Sequence, residues 1–268
     1  MKELRRTASL SKRSPSGKVF TFNMDMPQLG VTGRRIWVYL PPGYDTTDLR
    51  YPVLYMHDGQ NLFDPRSSYC GEWGVDKALD ALFRKNKTKG AITVGVDNGG
   101  LERWNEYSPW GGADGTGRCN GDKYARFIVD ELKPLIDNQF RTLPGRENTG
   151  VAGSSLGAII SFYISLKHPG VFSRAGLFSP SFWFARTEAA ELLKKARIRQ
   201  GLRVYMDVGT NEGDRKEEYL DDAGDMSALF LKKGGIEQRF VIAEGGIHNE
   251  KAWAERFPAA FLWLFEGT

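Results

Sequence analysis

The sequence predicts an α/β protein whose centre is one mostly parallel sheet of about eight strands, with helices on both faces. Short apolar runs alternate along the chain with longer amphipathic stretches, which is the pattern of repeated βαβ units. The later runs are almost continuously apolar, as is typical of strands buried on both faces of a sheet. A length of 268 residues suits a single domain of this class.

The strand candidates differ in pattern along the chain. The first two alternate apolar and polar residues, as half-exposed antiparallel strands do, so we expect the antiparallel part of the sheet at the N-terminal end. The later candidates are the apolar runs that we expect to be parallel. The eight strand candidates are residues 18–24, 34–42, 51–57, 91–97, 149–155, 175–180, 202–210 and 238–245.

Six stretches between these runs have helical periodicity. In the second of them, apolar side chains recur every three or four residues and form one stripe. The chain contains no internal repeat and no linker, so we predict one domain over residues 17–268. The helix candidates are residues 74–85, 121–140, 156–168, 187–198, 217–234 and 249–265.

Residues 97–121 form a long stretch with neither periodicity, and they are rich in Gly and Trp. A loop of this length inside a compact domain is usually either functional or disordered. Because this loop contains Trp104, Tyr107 and Trp110, we expect it to face the substrate. We therefore predict that Trp104 and Tyr107 bind substrate.

Composition and charge exclude several classes of function. The 37 basic and 33 acidic residues give a net charge of only +4, which does not indicate a nucleic-acid-binding protein. No stretch approaches the roughly 18 apolar residues of a membrane span, and no apolar segment of a secretory signal follows the basic N-terminus. We therefore expect a cytoplasmic protein with a flexible basic tail over residues 1–16 and neither a nucleic-acid nor a membrane partner.

The two cysteines, Cys70 and Cys119, both lie in Gly-rich loop sequence. Two cysteines are too few for a disulfide framework. We expect two free thiols, and a single disulfide bridge is the alternative.

The pentapeptide GSSLG follows a strand candidate and precedes a helix candidate. This is the strand–turn–helix context of the G-x-S-x-G nucleophile motif. Gly153 and Gly157 leave room for a crowded turn, which exposes the oxygen of Ser155 above a helix N-terminus that favours negative charge. We therefore predict that Ser155 is a nucleophile. A structural turn with a buried serine is one alternative, and Ser154 as the reactive hydroxyl is another.

A nucleophilic serine needs a general base, and the chain offers three histidines. His57 precedes the serine, and His168 ends the helix that follows it, where we expect it to cap the helix. His248 follows the last strand and leaves room for an acid before it. This is the order of serine, acid and histidine in α/β-hydrolases, so we predict His248 as the base.

The acid of such a site should lie in the loop after the strand at residues 202–210. Glu212 and Asp214 both lie in that loop, whereas Asp207 lies within the strand and is expected to interact inside the sheet. We favour Glu212, and Asp214 stays open as the alternative.

Stabilising an oxyanion requires two backbone N–H groups. One should come from Leu156, the residue after the predicted nucleophile. The other should come from Gln60 in the loop after the third strand, where Gly59 lets the backbone approach closely. The alternative is that this loop is a simple turn in which Asp58 and Asn61 make local hydrogen bonds.

Five motifs in order resemble the putative-esterase group of α/β-hydrolases (esterase D type), which includes feruloyl and acetylxylan esterases of the first carbohydrate esterase family, enterochelin-type esterases and mycolyltransferases. The resemblance extends from about residue 34 to residue 265 and implies an α/β-hydrolase fold without a large cap domain. The motifs are VYLPPGYD (38–45), YPVLYMHDGQNLFD (51–64), GSSLG (153–157), SPSFW (179–183) and GGIHNEKAW (245–253).

The resemblance also implies roles for individual residues. It places the acid shortly after a Gly-Thr pair, at Glu212, and the second oxyanion amide after His-Asp-Gly, at Gln60. Arg103, Glu106 and Tyr107 match a segment near the site, which either shapes the substrate pocket or contains a structural Arg–Glu ion pair. Trp183 either lines the acyl pocket, and so binds substrate, or packs in the interior.

The residues and the resemblance together predict a serine carboxylic-ester hydrolase that forms an acyl-enzyme and needs no metal or organic cofactor. The expected partner is a small or carbohydrate-linked ester of the acetyl or feruloyl type. The alternatives are a siderophore lactone esterase of the enterochelin type, an acyltransferase with the same residues, and a non-catalytic binding protein of the same fold.

Overall fold

The computed structural model describes residues 16–111 and 119–267, and its centre is an eight-stranded sheet. The strand order across the sheet is β1-β2-β4-β3-β5-β6-β7-β8. All but the last residue of the predicted N-terminal tail lie outside the described residues. The strands are β1 (Lys18–Met26), β2 (Val31–Leu40), β3 (Val53–His57), β4 (Ile92–Val96), β5 (Thr149–Ser154), β6 (Arg174–Phe178), β7 (Leu202–Asn211) and β8 (Ile236–Ile247).

The pairing directions confirm the predicted sheet. Strand β2 runs antiparallel to both β1 and β4, and every other neighbouring pair is parallel. The antiparallel part therefore lies at the N-terminal edge, as the alternating pattern of the first two strands predicted. Strand β8 is longer than the predicted strand over residues 238–245. It extends at both ends because it pairs with β7 from Leu202↔Ile236 to Asn211↔Ile247.

The predicted helices are all present, and one helix was missed. The segment predicted as one helix over residues 121–140 contains a π-helical stretch, Phe127–Leu132, between α3 and α4. The loop predicted over residues 97–121 contains a short helix, α2, which is too short to give a periodic pattern. The helices are α1 (Val75–Arg84), α2 (Arg103–Tyr107), α3 (Gly121–Arg126), α4 (Lys133–Gln139), α5 (Leu156–Lys167), α6 (Arg186–Lys195), α7 (Lys216–Lys233) and α8 (Glu250–Leu264).

Successive side chains of a strand point to opposite faces of the sheet. Because these strands are apolar on both faces, helices cover both of them. On one face, α1 and α8 pack on strand residues such as Ala152. On the other face, α3 to α7 pack on strand residues such as Val151. Helix α8 buries a stripe at helical spacing, and each large side chain contributes about 2 kcal/mol. That stripe is Trp253, Phe257, Phe261 and Leu264.

The connections at the carboxyl ends of the parallel strands leave that end of the sheet open, and we call it the open edge. Between β6 and β7 the chain adds only a 3-10 turn, Phe182–Phe184, and helix α6, so the part of the chain that the structure describes contains no large cap over this end of the sheet. The loops after β3, β5, β7 and β8 meet there, which is where ligands bind in open α/β sheets.

None of the helices within residues 16–111 and 119–267 combines the length and the apolar character needed to cross a membrane. The cytoplasmic location stays a prediction.

Candidate active site

Ser155 lies in a strained turn between β5 and α5. Its backbone has φ 57° and ψ −122°, a conformation that residues other than glycine rarely adopt. A Cβ atom added at Gly153 would lie 2.7 Å from the backbone of Gly157, so the turn requires glycine there. The N–H of Ser155 donates to the carbonyl of Phe178 at 2.9 Å, which ties the turn to β6. The predicted strand–turn–helix context is therefore present.

Ser155 and His248 line one cavity of about 350 Å³ at the open edge of the sheet. Within the described residues, the hydroxyl of Ser155 forms its hydrogen bond with Ser181 Oγ at 2.9 Å and not with the imidazole. Contacts of this kind often tighten only when substrate is bound. The structure thus brings the predicted serine and histidine to the same cavity.

Glu212 contacts His248 directly, with 2.5 Å between Oε2 and Nδ1. Its other oxygen, Oε1, accepts hydrogen bonds of 2.6 Å from Ser179 Oγ and the N–H of Gly209. Burial raises the pKa of Glu212, but these hydrogen bonds outweigh it and hold the pKa below its usual range. Glu212 is buried, whereas Asp214 is exposed, so the structure places Glu212 at the imidazole.

A carboxylate at this position favours the imidazole tautomer with its proton on Nδ1, which leaves a lone pair on Nε2. The His248 ring also packs against Tyr219 and Trp253, with ring centroids 4.8 and 5.0 Å away. The ring is therefore held on three sides, with the lone pair of its other nitrogen as the proton acceptor that a general base needs.

The remaining histidines lie elsewhere. His57 is buried at the end of β3, where its Nδ1 lies 2.9 Å from Tyr124 Oη and burial lowers its pKa to about 3. His168 is the C-cap of α5 and donates its backbone N–H to Ile164, as predicted. Asp207 is committed to the sheet interior, as expected, through an ion pair of 2.9 Å with Arg256.

Gln60 and Leu156 both lie at turns beside this cavity. Gln60 is held by its side chain, which accepts from the N–H of Asn98 at 3.2 Å. A Cβ atom at Gly59 would lie 2.9 Å from the backbone of β4, so no larger residue fits at this position. Leu156 is the first residue of α5, where N–H groups have no acceptor within the helix. Both amides are therefore candidates for binding an anion.

The backbone of the Gln60 loop does form a locally bonded turn, in which the N–H of Asn61 donates to the carbonyl of Asp58 at 2.9 Å, but the side chains of these two residues bond elsewhere. Asp58 has a left-handed backbone, with φ 55°, and its carboxylate binds Arg103 at 2.7 and 2.8 Å. Asn61 Nδ2 donates to Glu250 Oε1 at 3.2 Å. Both side chains thus form long-range contacts that fix this loop to α2 and α8.

Of the two alternatives for Arg103 and Glu106, the structural ion pair between them is absent from the described residues. Arg103 binds Asp58, while Glu106 forms a buried ion pair with Arg34 on β2. In a five-residue helix these two side chains face different neighbours, one towards the cavity and one towards the sheet. The pairing is therefore set by the tertiary fold.

Tyr107 does not line the cavity, so the predicted contact with substrate is wrong. It is fully buried, its ring packs on His57, and its hydroxyl accepts from the N–H of Asp58 at 3.0 Å. Its place is beneath the Gln60 loop, where it supports the backbone.

Trp104 and Trp183 are half-buried and pack on each other, with ring centroids 6.1 Å apart. Phe184 and the guanidinium of Arg215 complete this group. Neither tryptophan is among the described residues that line the Ser155 cavity. Their contact with substrate stays a prediction.

Several residues at the site were missed by sequence reasoning. The Ser-Pro-Ser segment after β6 supplies Ser179 to Glu212 and Ser181 to Ser155. Glu250 lines the cavity, and burial raises its pKa. Its position two residues after His248 was the one available signal for it. Tyr219 gave no local signal because α7 brings it to the site from a distance.

Both cysteines are free and exposed, which confirms the predicted thiols. Cys70 lies at the rim of the Ser155 cavity.

Two curated relatives match most of this chain. The chain is 28% identical over 244 residues to the Bacillus subtilis protein YbbA, a match that covers 87% of this chain and 92% of YbbA. It is 27% identical over 220 residues to an endo-1,4-beta-xylanase/feruloyl esterase from Xylanibacter ruminicola, a match that covers 81% of this chain but only 27% of that protein.

Solved structures share the fold. The enterobactin esterase FES from Shigella flexneri superimposes with a TM-score of 0.74 at 20% identity, covering 95% of this chain and 60% of that one. The family described as "Putative esterase" matches residues 32–264. This match confirms the predicted activity, a carboxylic-ester hydrolase, and the α/β-hydrolase fold agrees with it. The chain belongs to the "Putative esterase" family.

Proposed function

We propose that this chain hydrolyses esters in two steps through an acyl-enzyme, with Ser155 as nucleophile, His248 as general base and Glu212 as the acid that positions the imidazole. One observation is the main support. The Glu212–His248 contact of 2.5 Å and the strained Ser155 turn meet at one cavity. Three groups from three separate loops have little structural reason to converge in this way.

In the first step, Ser155 Oγ forms a bond with the carbonyl carbon while its proton passes to His248 Nε2. The carbonyl electron pair moves to oxygen, and the N–H groups of Gln60 and Leu156 stabilise the negative charge. When the ester C–O bond breaks, the leaving alcohol takes the proton from His248. Water then attacks the acyl-enzyme by the same route in reverse, which releases the acid and free Ser155.

We assign the substrate to small, neutral esters with a hydroxyl-bearing alcohol, such as acetyl or feruloyl esters of carbohydrates. The carboxylates of Asp58 and Glu250 face the same cavity as one guanidinium, that of Arg103, which disfavours a strongly anionic substrate. Asn61 lines the same cavity, so its amide can form a hydrogen bond with a substrate hydroxyl. The feruloyl esterase named among the relatives is consistent with this class.

The test is hydrolysis of aryl acetate, butyrate, octanoate and ferulate by the wild type, Ser155→Ala and Ser154→Ala. We expect Ser155→Ala to lower kcat/KM by about a thousandfold or more while Ser154→Ala remains active. Equal loss in both variants, or wild-type rates in Ser155→Ala, would refute the assignment of the nucleophile. Product analysis with an added sugar separates hydrolysis from acyl transfer, and cleavage of a macrolactone alone would replace carbohydrate esters as the substrate class.

A further inference from the structure

The segment Ser179-Pro180-Ser181 contacts both the acid and the nucleophile of the proposed site. Ser179 Oγ donates to Glu212 Oε1 at 2.6 Å, and Ser181 Oγ lies 2.9 Å from Ser155 Oγ. Both serines are buried, with no more than 1% of either residue exposed. The chain therefore places two hydroxyl groups, separated by one proline, on two different parts of the reaction machinery.

A third hydroxyl extends this contact. Tyr219 reaches the segment from α7, and its Oη lies 2.9 Å from Ser181 Oγ. The same tyrosine ring packs against His248, with centroids 4.8 Å apart. Ser155, Ser181 and Tyr219 thus form a continuous chain of hydroxyl groups that begins at the nucleophile and ends beside the base.

The proton transfer in the proposed reaction determines the direction of the hydrogen bonds among these three hydroxyl groups. The proton of Ser155 must go to His248, so it is not available for Ser181 when attack begins. A hydroxyl has one proton to donate and can accept as well. The order that leaves the proton of Ser155 free is therefore Tyr219 donating to Ser181, and Ser181 donating to Ser155 Oγ.

The side chain of Ser181 is not needed to hold its own loop. Its backbone N–H donates to the carbonyl of Ser155 at 3.4 Å, and the N–H of Phe182 donates to the carbonyl of Pro180 at 2.9 Å. The loop is also tied down through Ser179, whose N–H donates to the carbonyl of Asp207 at 3.0 Å. The hydroxyl of Ser181 is thus available for a role at the nucleophile.

We infer that Ser181 is a catalytic residue that donates a hydrogen bond to Ser155 Oγ and stabilises the negative charge on this oxygen, and that Tyr219 is a positioning residue that acts through Ser181. This inference rests on the proposed function, because it assumes that Ser155 is the nucleophile. Charge develops on Ser155 Oγ as its proton leaves for His248, and again when the acyl-enzyme bond breaks and its electron pair returns to Oγ. The proton of Ser181 stays on Ser181 in both steps.

The test measures kcat and KM for 4-nitrophenyl acetate in the full chain with Ser181→Ala, Tyr219→Phe and the double variant. We expect Ser181→Ala to lower kcat about tenfold, with KM changed by less than about twofold. Tyr219→Phe should lower kcat about threefold, because Ser181 can still donate to Ser155. The double variant should be no slower than Ser181→Ala, since Tyr219 acts only through Ser181.

The matched control is Ser165→Ala, a buried serine on α5 whose hydroxyl donates to the carbonyl of Phe162. It should leave kcat unchanged, and thermal unfolding of each variant reports whether it folds. An unchanged kcat in Ser181→Ala would overturn the inference, and so would losses that multiply in the double variant. Failure of the proposed function would look different, because Ser155→Ala would then hydrolyse the same ester at the wild-type rate.

Discussion

The guanidinium of Arg103 binds both carboxylate oxygens of Asp58, with 2.7 Å between Nε and Oδ1 and 2.8 Å between its terminal nitrogen and Oδ2. Asp58 has a left-handed backbone and begins the turn that presents the amide of Gln60 to the cavity. The ion pair thus fixes the conformation on which the proposed oxyanion contact depends. It also joins α2 to the loop after β3 across 45 residues of sequence.

Arg103→Ala should therefore reduce both stability and activity. The variant leaves the buried carboxylate of Asp58 without a counter-charge, with Asn98 as its remaining hydrogen-bond donor, which lowers the free energy of unfolding by about 3 kcal/mol. Loss of a fixed Gln60 amide should lower kcat by about a hundredfold. Urea unfolding and ester hydrolysis measure the two effects. Arg66→Ala, which removes a surface ion pair with Asp64, is the control and should change neither. Full activity in Arg103→Ala would contradict this role.

Glu212→Gln should lower kcat by about a thousandfold with little change in KM, because an amide no longer selects the imidazole tautomer needed by a base. Steady-state hydrolysis of an aryl ester measures this loss. Asp214→Asn, a change at an exposed site in the same loop, should keep wild-type kcat. If Asp214→Asn lost activity and Glu212→Gln kept it, the acid would be Asp214.

The strands and the turn at Ser155 could be predicted because their signals are local. Apolar runs of strand length and the spacing of Gly153, Ser155 and Gly157 depend on a few neighbouring residues. Chain order then selected His248, since only one histidine follows the nucleophile with space for an acid between them. These inferences need no knowledge of which strands are neighbours in the sheet.

The contacts that hold the site could not be predicted, because they join residues far apart in sequence. Asn61 and Glu250 are 189 residues apart, and Arg34 and Glu106 are 72 residues apart. Each pair meets only because of the strand order and the direction in which the loops leave the sheet. From sequence alone, Glu106 could pair with Arg103, the nearest opposite charge along the segment. In the folded protein, the opposite charge nearest to Glu106 is that of Arg34.

The pH dependence of stability should contain a contribution from His57. Burial lowers its pKa from the ordinary 6.5 to about 3, so the folded protein holds it neutral. The contribution of neutral His57 to the free energy of unfolding is fully present above pH 6.5. It is lost as the pH falls from 6.5 towards 3, and the free energy of unfolding then decreases by up to about 1.4 kcal/mol per pH unit.

Chemical unfolding between pH 7 and pH 5 tests this contribution, since most carboxyl groups stay ionised there. His57→Asn keeps a side chain that can form a hydrogen bond with Tyr124 and removes the titrating group, so its free energy of unfolding should fall less steeply with decreasing pH. The comparison uses slopes, and a variant of lower overall stability is still informative. Equal slopes in the two proteins would mean that His57 takes up its proton over the same pH range in the folded and unfolded states, which would contradict the lowered pKa.

Glu250→Gln should stabilise the protein at pH 8 and leave it unchanged at pH 4. Burial raises the pKa of Glu250 above the ordinary 4.5, so its contribution to stability is greatest below pH 4.5 and is lost as the pH rises through the folded-state value. Glutamine is neutral throughout and keeps an oxygen that can accept from Asn61. Thermal unfolding at both pH values measures the effect, and Glu255→Gln, an exposed site on the same helix, is the control. A lower midpoint for Glu250→Gln at pH 8 would show instead that the ionised carboxylate, facing Arg103 across the cavity, stabilises the fold.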